Sequence, residues 1–147
     1  MTLDPDILAT VSERMVEQTP QAAAMGMRLM SSAPGDAAMA VPYRADLVGD
    51  PATGVLAGGV ITTLLDHVCG LAVLTAVGRD HATATLDLRI DYMRAAEPGR
   101  EVVGHAVCYK LTRSIAFVRA VAFDRDEADP VATAQGAFAL SGLRPAP

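Results

Sequence analysis

Gly54-Val55-Leu56-Ala57-Gly58-Gly59 opens an apolar run that reaches about Val77 and carries a single acid, Asp66. The glycine pair stands at the start of what reads as a buried helix, with Asp66 about two turns inside it. Glycine lets the backbone approach a ligand closely. The first turn of a helix offers unpaired N–H groups to an anion or a carbonyl oxygen. A carboxylate on an otherwise apolar helix is costly to bury and calls for a partner or a task. The stretch therefore predicts an oxyanion hole and a general base on one helix. The run is apolar nearly all round, so the helix should be wrapped by other structure. Gly78-Arg79-Asp80 ends it.

Outward from this helix, the chain reads as α+β. Upstream, Asp4-Pro5 with Ile7, Leu8, Val11 and Met15 has the spacing of an amphipathic helix that ends near Thr19-Pro20. Residues 25–31 and 36–42 read as two short strands around the turn signal Ala33-Pro34-Gly35-Asp36. Residues 44–53 read as loop. Downstream, four strands are expected over 83–94, 101–111, 114–124 and 130–140, joined by short connections that favour antiparallel neighbours. In the first of these, Leu86, Leu88, Ile90 and Tyr92 should share one face, with Thr85, Asp87, Arg89 and Asp91 on the other. The pattern predicts one long helix against a curved antiparallel sheet of about six strands. Such a layer leaves sheet edges uncovered, which pairing of edge strands between two copies would solve.

Composition narrows the function. The 147 residues fit one domain, and 51% are hydrophobic, enough for a full core. A net charge of −5 with no basic run argues against nucleic-acid binding. Cys69 and Cys108 form no C-x-x-C pattern and suit a reducing compartment, with no metal site. The acidic Met1–Asp6 segment does not read as a signal peptide. Asp66, His67 and the interspersed glycines and threonines argue against a membrane span. A cytoplasmic protein is the expectation.

The order of elements and the glycine pair resemble the hotdog-fold acyl-CoA thioesterases of the phenylacetate-pathway type. The resemblance runs from about Met25 to Leu140. Its pieces are Gly54–Gly59, Asp66 nine residues after Ala57, the strand Thr85–Ala96 followed by Pro98-Gly99, and the hairpin Thr112-Arg113-Ser114-Ile115-Ala116-Phe117. It implies a hotdog domain over 21–147 preceded by an N-terminal helix over 1–20. It also implies an acyl-CoA substrate, no cofactor beyond the CoA carried by that substrate, and a homodimer that pairs further into a dimer of dimers. The chain departs at Ala57, where the family carries histidine, and at Pro51, where a loop asparagine is common.

Thioester hydrolysis needs a group to activate water and donors for the developing oxyanion. Asp66 is the candidate base or nucleophile. The Gly58 amide is the candidate oxyanion donor, assisted by Gly59. The resemblance implies that Thr85 holds the water and that Arg113 lies near the CoA path. Ser114, Arg94 and Val60 join Arg113 as candidate substrate contacts, with Arg89 and Arg119 further arginines to consider. Leu47, Val48, Val60 and Leu64 are expected acyl-pocket walls. The competing account of Asp66 is a structural acid satisfied by Thr62, Thr63 or His67. His67 reads as an interface or capping group, and the cysteines as packing. A second functional account, motivated by Ala57 and Pro51, is an acyl-CoA binder with weak catalysis.

Overall fold

The computed structural model describes residues 5–78 and 80–142. Helices α1 (Pro5–Val16) and α2 (Pro20–Ala24) lead into strands β1 (Arg28–Ala33) and β2 (Asp36–Val41). A one-turn 3-10 helix, Ala45–Leu47, and strand β3 (Val48–Asp50) stand where loop was expected, and β3 ladders with β4 (Val55–Leu56) just beyond it. The central helix α3 (Gly58–Val77) follows, then β5 (His81–Tyr92), β6 (Val102–Leu111), β7 (Ile115–Phe123) and β8 (Ala132–Gly142).

The six long strands form one antiparallel sheet in the order β1-β2-β6-β7-β8-β5. It curves around α3, which is the hotdog arrangement. The apolar surface of α3 explains the packing. Leu64, Leu65, Val68, Leu71 and Val73 are fully buried, joined by Met39, Val41, Val102, Val118 and Phe138 from the strands. Each such side chain contributes about 1.5–3 kcal/mol on leaving water. Length and hydropathy alone would let α3 cross a membrane, but its apolar faces are spent on this core. At Gly104 of β6 the helix comes so close that a Cβ would lie 3.0 Å from Leu64 Cγ.

Two further elements differ from the sequence expectation. Pro20 starts the short helix α2, because proline suits the first position of a helix as well as the end of the preceding one. More consequential is a β-bulge in β5. Thr85 pairs with Phe138 and Asp87 with Ala137, so Leu86 has no partner on β8. The bulge reverses the alternation. Thr83 and Thr85 on one side of it, and Leu88, Ile90 and Tyr92 on the other, all stand opposite β8 residues of the helix-facing set. Leu86 points to solvent, 59% exposed. Strict period-two reading put Thr85 on the far face; the extra residue corrects that.

Candidate active site

The bulge delivers Thr85 to α3. Its hydroxyl donates to Asp66 Oδ1 over 2.8 Å. Asp66 is half-buried, and Oδ2 has no hydrogen-bond partner among the described residues. The residues proposed to satisfy Asp66 structurally do other things. Thr62 and Thr63 donate back to the Gly58 and Gly59 carbonyls of their own helix, at 3.2 and 2.8 Å. His67 Nε2 donates to the Met15 carbonyl near the end of α1. Among the described residues, Asp66 is thus held by one hydroxyl, and its second oxygen has no partner.

Asp66 opens onto a groove of about 510 Å³ between α1 and α3. Val11 and Met15 of α1, Gly70 and Leu74 of α3, and Phe138 of β8 supply its apolar walls; Thr83 and Thr85 of β5 close one side. The expected walls Val60 and Leu64 instead turn into the core. The part played by α1 was not legible, because an amphipathic helix signals only that it packs, not against what.

The N-terminus of α3 is built for open amides. Asp50 shapes the preceding loop, accepting from the Ala52 amide at 3.0 Å and the Thr53 hydroxyl at 2.9 Å. Gly54 follows with φ +74°, a left-handed conformation that L side chains resist. The Tyr43 hydroxyl fixes its carbonyl at 2.7 Å. Ala57, the N-cap, supplies no capping side chain. Gly58 and Gly59 are exposed, and their amides have no partner among the described residues. A Cβ at Gly59 would meet nothing within 4 Å. Tyr92, which the sequence placed only as a strand residue, anchors this end. Its hydroxyl donates to the Gly58 carbonyl at 3.0 Å and lies 2.5 Å from the Thr62 hydroxyl.

The two halves of the predicted machinery do not meet within one chain. Gly58 and Asp66 are eight residues apart on one helix, roughly 12 Å along its axis. Likewise Thr85 and Tyr92 mark two well-separated points on β5.

The arginines divide by role. Arg94 is committed to the fold: it donates to Asp124 at 2.6 and 3.1 Å and to the Asp129 carbonyl at 2.8 Å. The Asp124 side chain is fully buried and also accepts the Glu97 amide at 2.7 Å. Arg113 and Ser114 sit exposed in the β6–β7 hairpin, and Arg113 has no ion-pair partner among the described residues. The Ser114 carbonyl accepts the Leu140 amide, which puts this hairpin at the end of the sheet where β5 begins. Arg89 pairs with Asp91, and Arg119 lies 5.4 Å from the Tyr109 ring centroid. Among the described residues no cluster of His, Cys, Asp or Glu could hold a metal. Cys69 is buried, and desolvation pushes its thiol up to about 12, which makes it inert packing.

Residues 53–131 match the model of the thioesterase superfamily. The medium/long-chain acyl-CoA thioesterase YigI of Escherichia coli is 33% identical over 106 residues, 63% of this chain and 66% of that protein. A solved Pseudomonas aeruginosa structure is 34% identical and superposes with a TM-score of 0.81, covering 90% of this chain and 98% of its own. A variant of the phenylacetic acid degradation protein PaaI of Thermus thermophilus is 30% identical with a TM-score of 0.72, covering 82% and 98%.

Proposed function

Because the chain belongs to the thioesterase superfamily, we propose that it hydrolyses an acyl-CoA thioester to the free acid and CoA, with Asp66 at the reacting carbonyl. The observation that carries this is the Thr85–Asp66 hydrogen bond, which orients the carboxylate while Oδ2 has no partner among the described residues. Acting as base, Asp66 takes a proton from water as the water oxygen bonds to the carbonyl carbon. The C–S bond then breaks and the CoA sulfur leaves with a proton. Acting as nucleophile, Asp66 bonds to the carbonyl carbon as the C–S bond breaks and the CoA thiolate leaves, and water then opens the resulting anhydride to the free acid and the original carboxylate. The free amides of Gly58 and Gly59 at the α3 N-terminus suit the developing oxyanion.

Those amides and Asp66 serve one carbonyl only if two copies contribute. An antiparallel pairing of β5 with β5 of a second copy, centred near Leu88 and Arg89, sets Thr85 of each copy opposite Tyr92 of the other. Asp66 then faces the other copy's glycine turn. β5 suits this, being an edge strand with Leu86 and Tyr92 more than half exposed, as is Met93 just beyond its end. In this reading the active unit is a homodimer with two composite sites, able to pair again into a dimer of dimers. Arg113 and Ser114 supply hydrogen bonds for the CoA phosphates. Two free thiols and a buried apolar helix fit a cytoplasmic enzyme.

Thiol release from acyl-CoAs of graded chain length, wild type beside Asp66→Ala, tests the reading. Turnover that disappears in Asp66→Ala supports it. Equal turnover in both sinks the assigned role. The bare N-cap Ala57 favours one other account, an acyl-CoA binder with little catalysis. Its mark is thermal stabilisation by acyl-CoA without consumption.

A further inference from the structure

We infer that the groove between α1 and α3 receives an aliphatic acyl chain, and that Gly70 sets the length of chain it admits. The inference rests on the hydrolase reading for the position of the carbonyl, but not for the groove itself. Asp66 and Gly70 are four residues apart on α3, so both lie on one helix face, the face that lines the groove. A chain whose carbonyl meets Asp66 therefore passes Gly70 within one helical turn.

Gly70 is a glycine in the interior of a buried helix, where any other common residue except proline would be the better helix former. Its backbone has no special conformation to explain the choice. Space explains it. A Cβ there would sit 3.6 Å from Met15 Cε and 3.9 Å from Phe138 Cε1, in ordinary contact with both. An alanine fits, whereas a longer side chain occupies the passage between α1 and β8. Val11, Met15 and Leu74 form the aliphatic part of its lining, and the polar Arg14, Gln18 and His81 line it as well. Phe138 is 2% exposed, so it leaves little ring surface open for a flat aryl group to stack on. Met15 is flexible enough to close over a chain of variable length. Its carbonyl, held by His67, ties this part of α1 to the same helix.

The test compares wild type, Gly70→Leu and Met15→Ala with butyryl-, octanoyl- and dodecanoyl-CoA. It adds calorimetric binding of the unreactive thioethers S-butyl- and S-dodecyl-CoA. Gly70→Leu should lower the dodecanoyl-to-butyryl ratio of kcat/KM by about 10-fold or more, and Met15→Ala should raise it. The thioether binding ratio should move in the same two directions. General damage to the fold cannot produce opposite shifts in one ratio, and Gly70→Ala checks that a small side chain is accepted. Unchanged ratios in both variants would overturn the assignment. Thioether binding that shifts as expected in a protein that turns over no acyl-CoA would support the groove while refuting the hydrolase reading.

Discussion

The Thr85 hydroxyl donates to Asp66 Oδ1 over 2.8 Å, joining the edge strand of the sheet to the middle of its central helix. Asp66→Asn keeps the shape and removes the base. It should lower kcat by about 10²–10⁴. Thr85→Ser retains the donor and should stay close to wild type, whereas Thr85→Val should lose roughly 10²-fold through a misplaced carboxylate. Steady-state thiol release separates the three; a fully active Thr85→Val would detach the threonine from the mechanism.

Gly136 of β8 lies across from the β5 bulge. A Cβ there would come 2.7 Å from the Asp87 carbonyl oxygen and 3.0 Å from Leu88 Cδ1. Gly136→Ala should push β5 outward and cost about 1–3 kcal/mol. Because the displaced segment carries Thr85, kcat should fall as well. Urea unfolding together with kinetics checks both, and an alanine variant as stable and active as the parent would show that the bulge tolerates movement.

Tyr92→Phe removes the hydroxyl that reaches the Gly58 carbonyl and Thr62. The expected stability loss is about 0.5–1.5 kcal/mol. The glycine turn should loosen while the Thr85–Asp66 pair stays intact, so kcat should drop with KM little altered. Proton exchange at the Val60 amide, which donates to the Ala57 carbonyl in this turn, should accelerate in the variant when followed by NMR.

Asp124 sets an acid limit on stability. The hydrogen bond from Arg94 dominates over burial and holds the Asp124 carboxyl below its ordinary value of 3.8, aided by the charge of Arg94. The folded state therefore binds this proton more weakly than the unfolded chain. The stabilisation is complete above the unfolded pKa and fades as pH falls through the lower, folded one. Asp124→Asn should be less stable at neutral pH by about 1.5–3 kcal/mol. It should also show a flatter loss of stability on acidification. Unfolding midpoints measured from neutral pH down to about pH 3 test this; parallel acid profiles would assign the acid sensitivity elsewhere.

The central helix was legible from its first residue to its last, because the glycine pair and Gly78 bracket a mostly apolar run. The four downstream strands were legible from alternation and turn residues. Thr85 was identified by position in a motif while the alternation pointed it away from Asp66. The conflict is resolved by the bulge at Leu86, which depends on how β5 lies against β8 and Gly136. A register irregularity of this kind is set by a partner strand some fifty residues away, beyond the reach of local pattern. The groove has the same origin: Val11, Met15, Gly70 and Phe138 belong to three elements that only the finished fold brings together. Arg94 shows the converse. Its charge suggested a ligand contact, while the buried carboxylate that claims it lies on a turn thirty residues later.

The strand order also dictates a schedule. β5 is made before β6 and β7 but pairs with β8. About 50 residues separate the end of β5 from the end of its partner. At ordinary elongation rates that is roughly 3–10 s of synthesis during which the strand bearing Thr85 has no strand of its own chain to pair with. A nascent chain therefore reaches its last strand with an apolar helix and an unpaired edge both waiting. Near neighbours on one messenger are in the same condition, so the ribosome-bound population is where premature strand exchange between copies would begin.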